Sequence, residues 1–192
     1  MLIADDRPVA SPTVWTTPGG HRQIRVIASA ESSDEVLRVA REQKPHVCMV
    51  SATLDGWATV ARRLKQLDEP PRVLICGAPG DTRLTGTAML AEADGVCHRY
   101  AAPEKLAEVI SRVAANEKFF PSLPPDQLHE LLDCVDDPDR AIVAMLLDRI
   151  PPDYIASTSG LSARSLHARR QVIITRLDAE RSRENDRLRP TR

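Results

Sequence analysis

Asp5 and Asp6 follow the apolar run Leu2–Ala4, and an adjacent acidic pair of this kind can ligate a divalent cation. Two carboxylates without a third make a weak magnesium site, so the pair is expected to be polar residues at an edge rather than a metal centre. The cysteines, at 48, 76, 97 and 134, form no C-x-x-C pair, and the histidines at 21, 46, 98, 129 and 167 form neither H-x-x-x-H nor H-E-x-x-H. Free cysteines of this kind pack as small hydrophobes, which is the reading for Cys48, Cys76 and Cys97. There is no G-x-S-x-G and no phosphate-binding glycine loop. Catalysis has no constellation, so no enzyme activity, cofactor or metal is expected. The richest chemistry lies in SARSLHARRQVIITRL, residues 162–177. Leu166, Ile173 and Leu177 suit a core, with Val172 near its margin, and Arg164, His167, Ala168, Arg170 and Gln171 share one basic face. A helix entering the major groove needs donors in its N-terminal half to reach base edges, flanked by cations for phosphate. His167, Ala168 and Gln171 would then face bases, and Arg164, Arg169 and Arg170 would reach phosphates. Arg169 has an alternative, pairing with an acidic residue on the first helix of the same bundle.

The elements that must hold these residues alternate along the first 116 positions. Leu2–Ala4, Ile24–Ala28, Val47–Val50, Val73–Cys76 and Val96–Cys97 read as apolar strands. Ser33–Gln43, Thr59–Gln66, Leu84–Ala93 and Pro103–Ala115 read as amphipathic helices. Strands that are apolar throughout, each followed by a helix, form a parallel sheet covered on both faces. The expectation is a five-stranded doubly wound α/β domain. Between Arg7 and Gln23, Pro12, Pro18, Gly19 and Gly20 make a poor helix, so a first helix over about residues 7–20 is either short and irregular or replaced. FFPSLPP at 119–125 breaks the pattern. Asp126–Cys134, Pro138–Arg149, Pro152–Thr158 and Ala163–Glu180 are then helical, with Gly160 ending one and Ser162 able to cap the next. The last three have helix-turn-helix form.

Charge follows the same division. The chain has 192 residues with a formal net charge of −1, yet residues 121–160 hold 2 basic and 8 acidic groups and residues 161–192 hold 9 basic and 4 acidic. A basic C-terminal segment is the electrostatic footprint of a nucleic-acid binder or a solvated face. Aromatic residues are 3% of the chain, which argues against a carbohydrate- or base-stacking platform. No apolar run approaches the roughly 20 residues of a membrane span, no signal peptide is evident, and thiols without pairing fit the reducing cytoplasm.

LIADDRP, IRVIASAESSDEVLRVAREQKPHVCMVS, AEADGVCHRYAAPEKLAEVI, FFPSLPPDQLHELL and IVAMLLDRIPPDYIASTSGLSARSLHARRQVIITRL occur in that order. Together they resemble an atypical response regulator of the LuxR/NarL type. The resemblance implies a flavodoxin-like, receiver-like domain at 1–116, a linker at 117–135, a helix-turn-helix DNA-binding domain at 136–180 and a charged tail at 181–192. It also implies that the family's phosphorylation machinery is degenerate. Asp5 and Asp6 match the acidic pair, but Ser51 stands at the carboxylate nucleophile, Gly77 at the switch hydroxyl and Arg99 at the lysine. A hydroxyl without an activating base is no acyl-phosphate acceptor, and Arg99 is expected to pair with Asp5 or Asp6. The implied partners are double-stranded DNA, a second copy in a homodimer, and a small-molecule or protein effector at the receiver-like domain. After Ala179 the tail carries Leu188 as its single apolar residue, which leaves the family's usual pairing helix without a face. Two functions follow: a sequence-specific transcriptional regulator that works without phosphorylation, or an adaptor whose trihelical domain binds protein instead of DNA.

Overall fold

The structure, a computed structural model, describes residues 1–6, 14–16 and 23–188. Five parallel strands form the main sheet: β1 (Leu2–Ala4), β4 (Ala28–Ala30), β5 (Val47–Ser51), β6 (Arg72–Gly77) and β7 (Gly95–His98), in the order β4-β1-β5-β6-β7. That order reverses at β1, which is the doubly wound, flavodoxin-like arrangement. The burial of all five residues of β5 explains its unbroken apolar sequence, since both faces are covered.

The N-terminal region departs from a receiver. Val14–Thr16 (β2) pairs antiparallel with Gln23–Arg25 (β3), with Trp15 opposite Ile24, so a strand stands where a helix would lie. Residues 7–13 and 17–22 of the questioned first helix fall outside the described residues. The proline- and glycine-rich composition that made a helix poor is compatible with a ribbon. The second strand of the main sheet is consequently Ala28–Ala30, later than the apolar run Ile24–Ala28, because Ile24 and Arg25 belong to the ribbon.

Two compact units result. The first comprises residues 1–81 and 92–121, and the second comprises residues 82–91 and 122–192. In the first unit, α1 (Ser33–Gln43) begins at Ser32, whose side chain accepts from the Glu35 amide, and lies beside α2 (Trp57–Leu64). On the other face of the sheet, α4 (Pro103–Ala114) buries Ala107, Val109, Ile110 and Val113 against Ile3, Ile24, Met49, Leu74, Cys76 and Cys97. Lys118 and Phe119, inside the segment read as linker, belong to this unit. The Phe119 amide donates to Asp94 O at 2.9 Å, and Phe119 O accepts from Val96 N at 2.8 Å. This backbone comes so close that a Cβ on Gly95 would sit 2.6 Å from Phe119 O. Asp94, 2% exposed, receives Lys65 at 2.9 Å, Lys118 at 2.8 Å and Arg72 at 3.4 Å, plus the Val73 amide at 2.7 Å.

The second unit contains α3 (Thr82–Leu90), α5 (Pro125–Asp133), α6 (Asp137–Leu147), α7 (Pro152–Thr158) and α8 (Ala163–Leu188). Ile142, Val143, Leu147, Ile155, Leu166, Ile173, Ile174 and Leu177 are buried here. Gly160, at φ +65°, takes the left-handed turn after α7. Ser162 then accepts from the Ser165 amide at 3.0 Å, the predicted cap of α8. The charged tail extends the last helix: α8 runs as far as Leu188.

Candidate functional site

Two sites were expected, and each lies within one unit. The first is at the carboxyl edge of the sheet, where Asp5 and Asp6 follow β1, Ser51 ends β5, Gly77 ends β6 and Arg99 follows β7. Ligands in open α/β sheets bind at this edge. Here the space is filled by the protein itself. The Arg99 guanidinium donates to Ser51 Oγ and, at 2.9 Å, to Thr53 Oγ1, and stands 3.4 Å from the Asp5 carboxylate. Arg99 N is held by Gly77 O at 2.9 Å, which fixes the start of the loop that carries the side chain.

Proton positions follow from donor counting. Thr53 Oγ1 donates to Asp6 Oδ1 at 2.5 Å, so the 2.8 Å contact between Ser51 Oγ and Thr53 Oγ1 uses the Ser51 proton. Ser51 Oγ also accepts from the Thr53 amide at 3.3 Å. Hydrogen bonds thus run from Arg99 through Ser51 and Thr53 to Asp6. Ser51 is 2% exposed, and nothing in this chain of bonds acts as a base toward its hydroxyl. A divalent cation does not fit this donor set. The third carboxylate is a hydroxyl, and a guanidinium already lies against Asp5, where the metal charge would stand. Among the described residues no three His, Cys, Asp or Glu side chains group as metal ligands. Thr53 was missed in the sequence because a lone threonine in a loop carries no motif.

Ser51 is the register partner of Cys76, and Cys76 that of Cys97, so three small polar side chains form a row across β5, β6 and β7. Cys48 points to the opposite face. Its burial pushes its pKa up to about 12, so it is inert packing.

The second site is α8. Arg164, His167 and Ala168 are exposed and Gln171 is half-buried. Arg169 and Arg170 are placed otherwise. Arg169 Nε donates to Asp139 on α6, the pairing that sequence reading held as its alternative. Arg170 corrects the expectation of an exposed phosphate contact: it is 8% exposed, and its Nε donates to Leu90 O at the end of α3 at 2.6 Å. The physical reason is a second buried stripe on α8, in which Arg170 and Arg181 join Ile174, a residue not assigned to the core in the sequence. The helix therefore buries a wider arc than the trihelical bundle alone requires. Val172, placed near the core margin, is 67% exposed.

No known family's sequence profile matches the chain. A curated relative, the Fimbriae Z protein of Salmonella typhimurium, is 20% identical over 124 residues, which is 64% of this chain. The match spans 59% of that relative's length, less than two thirds of it. A LuxR-family two-component response regulator from Aurantimonas sp. superimposes with a TM-score of 0.52 at 23% identity, over 69% of this chain and 94% of the other. A structure of two RcsB dimers bound to two parallel DNAs also gives 0.52, at 14% identity, over 92% of this chain and 90% of that one. Among the described residues no helix is long and apolar enough to cross a membrane. The chain has the fold of the LuxR-type response regulators, a receiver-like α/β domain followed by a helix-turn-helix.

Proposed function

We propose that the protein is a sequence-specific DNA-binding transcriptional regulator of the cytoplasm whose receiver-like domain works without phosphorylation. It performs no chemistry of its own. The observation that carries the reading is the Arg99–Ser51–Thr53–Asp6 chain with Asp5 beside it. A phosphorylatable receiver needs an ionised carboxylate and a metal at that point, whereas this edge holds a hydroxyl and a cation already in contact. The unit of residues 1–81 and 92–121 acts as the receiver-like part and the helices within 136–180 as the DNA-binding part. RcsB, a protein of the same fold, is described as dimers bound to DNA, which supports DNA and a homodimer as partners. A small molecule or protein would take the place of the phosphoryl signal.

On α8, the exposure of Arg164, His167 and Ala168, with Gln171 half-buried beside them, supports Arg164 as a phosphate contact and His167, Ala168 and Gln171 as the base-facing set. Arg169 and Arg170 are taken out of the phosphate-contacting set by Asp139 and Leu90. The test is a gel shift against genomic fragments across a salt series, with acetyl phosphate and magnesium present or absent. Affinity should fall steeply with salt, because each neutralised phosphate releases counterions, and acetyl phosphate should change nothing. Gln171→Ala should cost on the order of 1–3 kcal/mol at one base position. Absence of sequence preference at every salt concentration would favour the adaptor reading.

A further inference from the structure

Cys76 and Cys97 are direct register partners on neighbouring parallel strands, and both lie in the apolar cluster on the α4 face of the sheet. Neighbouring strands are about 4.7–4.9 Å apart, within the ~4.4–6.8 Å that separates the Cα atoms of a disulfide. The two side chains leave the same face at the same level. Cys48 offers the contrast: its register partners are Leu2 and Val73, so it has no thiol across either strand. The neighbouring Cys97 outweighs burial at Cys76 and, with the Arg99 charge nearby, holds that thiol below its ordinary range, whereas Cys76 and burial push the Cys97 thiol up. Cys97 also has an approach. A cavity of about 210 Å³ is walled by Cys97, Leu106, Val109, Phe119 and Phe120, with His98 among its lining residues.

We infer that Cys76 and Cys97 are a peroxide-sensitive modification site, a thiol pair that closes into one cross-strand disulfide within the chain. The oxidant is a hydroperoxide small enough for the cavity, such as hydrogen peroxide. One thiolate attacks a peroxide oxygen, an S–O bond forms, the O–O bond breaks, and hydroxide leaves as water after taking a proton. The second thiol attacks the sulfenic sulfur, an S–S bond forms, the S–O bond breaks, and the departing hydroxide takes that thiol's proton and leaves as a second water. Two thiols lose two electrons, and one peroxide becomes two waters. The new bond lies in the row that begins at Ser51, directly under the Arg99 contacts.

The experiment treats the full chain with a hydrogen peroxide series, then denatures and alkylates it and reads intact mass and mapped peptides. The expected result is two of the four cysteines protected, recovered by dithiothreitol, with the Cys76 and Cys97 peptides joined. Cys48→Ser and Cys134→Ser should behave as the parent does. Cys97→Ser, or Cys76→Ala if that variant folds better, should abolish protection. Any of three results overturns the proposal. One is full alkylation at peroxide doses that oxidise a free exposed thiol. Another is sulfinic acid at Cys97 with Cys76 still alkylated. The third is protection confined to Cys134 or to a disulfide between two chains.

Discussion

At the scale of single residues, replacing one side chain at the sheet edge should not create a phosphorylatable receiver. Ser51→Asp would place a carboxylate against the Arg99 guanidinium, which already donates to that position. The expected product is a bidentate ion pair, not a free nucleophile. Intact mass after acetyl phosphate and magnesium should show no phosphoryl group on the parent chain or on Ser51→Asp. A labile adduct on Asp5, Asp6 or Asp55 of the parent would refute that reading. Asp94 makes a second residue-scale prediction. Burial alone would raise its pKa, but hydrogen bonds from Lys118, Lys65 and the Val73 amide outweigh that and leave it below the ordinary 3.8. A carboxylate depressed in the folded state stabilises fully above its unfolded pKa, and that stability is lost as pH falls through the folded value. Asp94→Asn should therefore lower stability at neutral pH by on the order of 3 kcal/mol, since three cations lose their shared anion. Urea denaturation of both proteins should converge as pH drops below the ordinary value of 3.8.

At the scale of elements, Gly95→Ala should cost about 1–3 kcal/mol, because the new methyl meets backbone oxygen 2.6 Å away and not a side chain that can rotate aside. Thermal unfolding would measure it, and hydrogen exchange at Val96 should rise at the same time. On α8, Arg170→Ala should act on stability by a similar amount, since it leaves Leu90 O without its 2.6 Å donor. Arg164→Ala should leave stability within about 0.5 kcal/mol. The sequence was most legible where periodicity was complete. The fully apolar run Val47–Val50, the amphipathic Pro103–Ala115 and the capped start of α8 all stand within a residue or two of their expected bounds. It was least legible where a side chain answers to an element distant in the chain. Arg170 looks like one more cation on a basic helix, and only the approach of α3, 80 residues earlier, makes it a buried donor. The ribbon of β2 and β3 was equally hidden: proline and glycine excluded a good helix, but no local signal named the strand pairing that replaced it.

At the scale of the whole molecule, the chain passes from one compact unit to the other three times, because Thr82–Ala91 groups with the C-terminal helices. Limited proteolysis should therefore cut first in 121–124, the stretch without regular structure before α5, or near the end of α8, and should spare Val73–Ala115. The attachment of Phe119 to β7 has a consequence for anyone dividing the protein into pieces. A fragment ending at residue 116, where the sequence places the domain boundary, loses both backbone bonds that Phe119 makes with Asp94 and Val96. It would leave β7 as a bare outer strand, with a glycine at its start and an apolar cluster behind it, a template for pairing with other copies. A fragment ending at residue 121 keeps that strand covered. Light scattering on the two purified fragments should show the shorter one assembling into large particles at concentrations where the longer one remains dispersed, so five residues of apparent linker decide whether the first unit stays apart from its own copies.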